Sequence, residues 1–148
     1  MISQKAKYAF KALIHLATYP GQTVQIDDIA RATGVPRKFL EHILLDLKGH
    51  GLITSRRGRS GGYAMLRPPA EITVGAVLRL IDGPIAPLAC ISVNAYRRCD
   101  DCLDEAACAV RHLFTDVYSV ILQVMDATTL AVVLRGDATR IKHVFSVV

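Results

Sequence analysis

Four cysteines, Cys90, Cys99, Cys102 and Cys108, fall within a 19-residue window of a 148-residue chain. Thiolates are soft ligands, and cysteines at such spacings hold zinc, carry an iron–sulfur cluster or form a redox disulfide. Cys99-Asp100-Asp101-Cys102 is a C-x-x-C pair, with Cys108 six residues further on and Cys90 nine before. Structural zinc favours two tight C-x-x-C knuckles, and this chain has one. A dithiol oxidoreductase places its C-x-x-C at a helix start beside a βαβ unit, and no such unit is legible here. Four thiolates suffice for a tetrahedral zinc or for a cluster, and spacing alone leaves both open.

The second chemistry is cationic. Residues 1–67 hold eleven Lys/Arg against four Asp/Glu, a net of +7, while residues 68–148 hold seven against nine, a net of −2. A basic half points to a polyanion once a structure exists to present the charge. Within it, Arg37, Lys38, Glu41 and His42 fall on the polar face at the start of one helical pattern. Arg56, Arg57 and Arg59 fall in a glycine-rich stretch, Arg56-Arg57-Gly58-Arg59-Ser60-Gly61-Gly62. Arginine pairs with guanine acceptors or phosphates, and a carboxylate accepts from a cytosine amino group. The glycines let backbone come close to DNA.

The elements that must position these groups follow from periodicity. Ala6, Phe10, Leu13, Ile14 and Ala17 predict a helix over about 2–18, ended by Tyr19-Pro20-Gly21. A short helix carries Ile26, Ile29 and Ala30, with Gly34 as its C-terminal cap. Pro36 opens a third, whose inner face is Phe39, Leu40, Ile43, Leu44 and Leu47. Residues 52–55 and 63–66 read as strands around the basic glycine-rich turn. A fourth helix, about 73–82, faces Val74, Val77, Leu78 and Ile81 inward. From Asp104, as N-cap, a long helix runs to about 127. Its positions Val110, Phe114, Val117, Ile121 and Val124 step by 4, 3, 4, 3, the seam of a coiled-coil-like contact with a second copy. Leu113 and Val120 add a second flank, so that one face meets its own domain and another a partner. A short helix, Leu130 to Leu134, and a basic tail finish the chain.

The fold class is therefore mainly α with a small β-hairpin: a winged helix-turn-helix domain plus a long C-terminal dimerisation helix. Residues 1–83 form the winged DNA-binding domain, 84–108 a cysteine-rich loop, and 104–148 the dimerisation helix and tail. The third helix enters the major groove of double-stranded DNA and the basic hairpin flanks it.

The same residues resemble a known family. Tyr8-Ala9, Phe39-Leu40-Glu41-His42-Ile43-Leu44, Arg57-Gly58-Arg59-Ser60-Gly61-Gly62-Tyr63 and Arg67-Pro68-Pro69-Ala70-Glu71-Ile72-Thr73-Val74 are similar to the Rrf2 family of bacterial regulators, the IscR, NsrR and RirA type. The resemblance spans about residues 1–130. It implies a homodimeric repressor on a roughly palindromic operator, with Glu41 and Arg57 at positions that read DNA. It also shifts the metal expectation to an iron–sulfur cluster, with zinc as the alternative. Cluster-bearing relatives place three cysteines just ahead of the dimerisation helix, and Cys90, Cys102 and Cys108 match them. The chain departs from that pattern in a longer Cys90–Cys102 gap and in the additional Cys99. The IscR-type histidine falls at Arg111, and neither Lys7 nor Tyr8 supplies the NsrR-type carboxylate. The fourth ligand is then Cys99 or His112, and Arg97, Arg98 and Arg111 stand near to offset the charge of an all-thiolate centre. Control by iron supply, cluster status, nitric oxide or redox state follows from the resemblance.

Other classes fit less well. Acid/base pairs, a nucleophile triad and a phosphate loop are absent from the sequence, so it does not read as an enzyme. The alternative is a metal-free or zinc-stapled winged-helix module regulated by a protein partner; four clustered cysteines count against its metal-free form, because a protein partner needs none of them. No apolar run approaches the ~20 residues of a membrane-spanning helix, and Met1-Ile2-Ser3-Gln4-Lys5 leads straight into an amphipathic pattern rather than a signal peptide. The expectation is a cytoplasmic protein without membrane attachment, where thiols stay reduced.

Overall fold

A computed structural model describes residues 2–136, and the basic tail lies outside the described residues. Helix α1 (Gln4–Ala17) starts at Ser3, whose side chain accepts the Ala6 N–H at 3.0 Å, satisfying one free donor of the first turn. It buries Ala6, Ala9, Leu13 and Leu16. Helix α2 (Ile26–Thr33) closes at Gly34, which takes φ +67°, a left-handed cap that favours glycine. Helix α3 (Arg37–Gly49) sets Leu40, Ile43, Leu44 and Leu47 against α1 and α2.

Phe39, expected on that inner face, is 58% exposed. The buried arc of α3 is centred on Leu40, Leu44 and Leu47, and position 39 falls at its edge. There the Phe39 ring leans on Tyr8 at the rim, with centroids 6.1 Å apart.

The hairpin is β1 (Ile53–Arg56) against β2 (Gly62–Met65), antiparallel, with Ile53 opposite Met65 and Arg56 opposite Gly62. Val24, ahead of α2, adds a single bridge to Tyr63 through N–H···O bonds of 2.8 and 2.9 Å. Gly62 makes this possible. It lies at φ +152°, and a Cβ there would collide with the Val24 carbonyl. Its smallness therefore serves the chain's own close approach.

Helix α4 (Val74–Asp82) begins at Thr73, which caps the Ala76 N–H at 3.1 Å. An irregular stretch with a 3₁₀ turn at Ala89–Ile91 leads to the long helix α5 (Ala109–Ala127). That helix starts five residues after Asp104, the expected cap. Asp104 instead accepts the Ala106 N–H at 2.8 Å in a local turn, and Cys108 takes the N-cap position.

The faces of α5 also differ from expectation. Tyr118 is buried and Arg111, Phe114, Leu122 and Met125 are half-buried, a stripe spaced 3, 4, 4, 3 that faces its own domain. Leu113 and Val120 join Val110, Val117, Ile121 and Val124 on the opposite side, all exposed. Phe114 sits at the border between the two. Helix α6 (Leu130–Leu134) then returns beneath α1, burying Leu130 completely in the core that includes Leu13, Ile29, Leu44 and Val77. Among the described residues no helix is long and apolar enough to cross a membrane.

Candidate DNA-reading surface and cysteine cavity

Helix α3 packs on both α2 and the first strand of the hairpin. Arg37, Lys38, Glu41 and His42 occupy the first turns of α3 and are all exposed. This follows from the helix itself: Leu40, Ile43 and Leu44 turn inward, which leaves 37, 38, 41 and 42 outward. Arg56, Arg57 and Arg59 are exposed on and beside the turn of the hairpin. That turn is braced from α1–α2: Thr23 Oγ1 donates to the Ser60 carbonyl at 3.3 Å, and Gln25 Nε2 to the Arg59 carbonyl at 3.4 Å. The seven expected residues are thus all exposed, four on the first turns of α3 and three on the hairpin and its turn.

Not all of these side chains are free. Arg37 donates through Nη1 to Asp27 of α2 and through Nε to Glu41 at 3.2 Å. The hydrogen bond to Glu41, followed by that to Asp27, pushes the Arg37 guanidinium above its ordinary value. Asp27 was not legible as a partner. In sequence it is one of two acids in the first turn of α2, a place explained by the helix dipole alone.

The four cysteines line one cavity of about 580 Å³, mostly apolar, with Leu88 and Val110 in its wall and Arg111 as its cation. Cys90 is buried in the 3₁₀ turn, Cys99 and Cys102 sit on the loop, and Cys108 caps α5 with its sulfur 3.5 Å from the Arg111 N–H. A hydrogen bond with Cys90 is the main reason the Cys99 thiol is pushed up, burial coming second. Burial, followed by the neighbouring Cys108, pushes up Cys102. Among the described residues, no group of three or more His, Cys, Asp or Glu side chains converges to hold a single metal ion.

The loop is held in place by its own polar contacts. Tyr96 Oη lies 2.8 Å from both carboxylate oxygens of Glu105, tying together the two flanks of the Cys99–Cys102 segment. Arg98 donates to the carbonyls of Cys102 and Leu103, so it braces backbone, and Arg111 Nε reaches the Cys90 carbonyl at 3.5 Å. Arg97 is exposed and contributes only its backbone N–H to this loop, to the Ala89 carbonyl. His112 points elsewhere: its Nε2 is 2.7 Å from the Ala106 carbonyl, and it is absent from the cavity wall. Of the two candidates for a fourth thiol-site ligand, Cys99 is the one that faces the cavity.

Comparison with known proteins agrees with this architecture. A family model, Rrf2, described as an iron-dependent transcriptional regulator, matches residues 2–136. An rrf2-like HTH-type transcriptional regulator of Rhodobacter capsulatus is 50% identical over 134 residues, 88% of this chain and 89% of that protein. Among solved structures, CymR of Bacillus subtilis, the global cysteine regulator, is similar with a TM-score of 0.76 at 29% identity, over 91% of this chain and 96% of that one. The IscR of T. potens is similar at 0.71 and 27% identity, over 92% and 87% of the two chains.

Proposed function

The chain belongs to the Rrf2 family of transcriptional regulators, and from that premise we propose that it is a homodimeric DNA-binding repressor whose operator affinity is set by an iron–sulfur cluster on Cys90, Cys99, Cys102 and Cys108. The observation that carries the cluster is that all four thiols line one cavity at the start of α5. A tetrahedral zinc needs its four donors at about 2.3 Å from one point. Four thiols that line one cavity without three of them meeting at such a point suit a centre that spreads its ligands over more than one iron. The family description as iron-dependent points the same way.

When bound, such a cluster supplies a centre sensitive to redox state and to iron supply. The remaining roles fall to the chain. Cys90 anchors the loop to the 3₁₀ turn, Cys108 ties it to the first turn of α5, and Arg111 places a positive charge in the cavity wall. The Tyr96–Glu105 contact holds the two flanks of the Cys99–Cys102 segment together. Val110, Val117, Ile121 and Val124, with Leu113 and Val120, form an exposed apolar stripe that a twofold-related copy covers, joined at its border by Phe114. The placement of α5 thereby sets the spacing of the two winged domains and so their fit to a two-half-site operator. On DNA, Arg56, Arg57 and Arg59 engage the backbone or minor groove, and Arg37, Lys38, Glu41 and His42 face base edges. A change of occupancy or oxidation state acts through a coupling of about 1–3 kcal/mol, roughly 5–150-fold in affinity.

The test is iron, sulfide and zinc content with a visible spectrum, on protein purified without oxygen. Brown protein with matching iron and sulfide is expected. Colourless protein with one zinc per chain overturns the cluster and makes the site a structural staple.

A further inference from the structure

The first turn of α3 carries a relay that groove binding does not by itself require. Arg37 bridges two carboxylates, Asp27 on α2 and Glu41 one helical turn along α3. A guanidinium presents its donors in one rigid plane. With Nε on Glu41 and Nη1 on Asp27, the side-on Nε/Nη2 pair is taken, and the two carboxylates fix the plane that decides whether the remaining Nη1 and Nη2 donors can meet guanine O6 and N7.

We infer that Asp27 is a specificity-determining residue: by holding Arg37 it makes that arginine the brace of Glu41, so this turn reads an amino group of a base through the Glu41 carboxylate instead of reading guanine through Arg37. The inference rests on the reading of α3 as the groove-facing helix. Two physical arguments support it. A bare carboxylate is repelled by the phosphate backbone, and Arg37 offsets that repulsion where Glu41 must approach cytosine N4 or adenine N6. The three side chains are about half-exposed in the free protein, where water weakens such pairs. Docking on DNA removes much of that water, which strengthens an ion pair already formed.

Asp28 supplies an internal control. It lies in the same first turn of α2 and carries the same charge, but it pairs with Arg31 at 3.1 Å and does not touch Arg37. Asp27 acts as a positioning residue, so its loss should move base preference rather than abolish binding.

The experiment is selection from a pool of randomised duplex DNA by the purified full chain, with sequencing of the enriched duplexes and thermal melts of every variant. The wild type, Asp28→Asn and Asp27→Glu should enrich one consensus. Asp27→Asn should shift preference toward guanine at one or two base pairs of each half-site, by roughly tenfold. Arg37→Ala should weaken the wild-type preference at those positions without any gain of guanine. The double variant D27N/R37A should behave like R37A, since the guanine preference enters through the freed arginine. If folded D27N enriches the wild-type consensus with unchanged relative preferences, the inference is overturned. If the wild type enriches no sequence at all, the groove-facing role of α3 falls first and takes the inference with it.

Discussion

Arg79 of α4 and Asp126 near the end of α5 meet in a two-pronged ion pair, Nη1 to Oδ1 at 2.8 Å and Nη2 to Oδ2 at 2.7 Å. Gly75 lies directly beneath it, and a Cβ at that position would strike the Asp126 carboxylate. The pair joins the winged half of the chain to its long helix, 47 residues apart in sequence.

That pair predicts a pH-dependent stability. The hydrogen bonds from Arg79 hold the Asp126 carboxyl below its ordinary value. A depressed carboxylate contributes stability above its unfolded value, about 3.9, and loses that contribution as pH falls through its folded value. Both side chains keep solvent contact, 25% and 45%, so screening holds the effect to about 1 kcal/mol despite the bidentate geometry. Asp126→Asn should therefore melt about 3 °C lower at neutral pH. The gap from wild type should shrink in melts near pH 3. An equal gap at both values would remove the ion pair as its cause.

The wing predicts a salt signature. If Arg57 contacts one phosphate, Arg57→Ala should weaken operator binding and reduce the slope of log affinity against log salt by about 0.9. If the same arginine reads a base, the slope should hold and discrimination at that base pair should drop by roughly 5–150-fold. Fluorescence anisotropy titrations across a salt series separate the two. Unchanged affinity and slope would take Arg57 out of the interface.

The exposed stripe of α5 predicts the oligomeric state. Val117 and Val124 are 47% and 56% exposed, and an aspartate at either would place two like charges in a symmetric seam. An unpaired buried charge costs several kcal/mol. V117D or V124D should raise the dimer dissociation constant on the order of 10³-fold or more, read by analytical ultracentrifugation. A dimer that survives either change would have to use another face.

The cavity predicts its own ligand set. Cys99→Ser should cut iron and sulfide per chain and bleach the visible band, while His112→Ala should leave both near wild type. The reverse outcome would return the fourth position to His112. Both variants conserve the apolar wall, so a melt near wild type distinguishes ligand loss from misfolding.

Local rules carried much of the fold. The 3.6-residue spacing of Leu40, Ile43, Leu44 and Leu47 told inside from outside on α3, and the glycine-rich basic run marked the hairpin. What escaped was decided by neighbours distant in sequence. Asp104 looked like a helix cap but closed a turn two residues on, and Phe39 moved to the rim because Tyr8 waits there. On α5 almost every face is apolar, so the pattern could not say which side met the domain until Tyr118 was seen buried. The cluster of cysteines was legible from spacing, whereas the preference for Cys99 over His112 depends on the Ala106 carbonyl that occupies the imidazole. Asp27–Arg37 and Arg79–Asp126 obey no helical spacing, and only the packed structure brings them together.

The return of α6 has a consequence in time. Leu130, with no exposed surface, fills the same core as Leu13, more than a hundred residues upstream. The Leu130 N–H also donates to the Ile72 carbonyl at 2.9 Å, and Thr73 bridges Thr129, so this closure is fastened at its entrance. On a ribosome adding about 5–20 residues per second, the first helix waits on the order of 5–25 s for the last core side chain. The nascent winged half spends that interval without the Leu130 side chain that completes its core, and its final packing follows the synthesis of α5. Completion of the core is thereby deferred until the long helix has been made, so that the first helix and the last described one mature together.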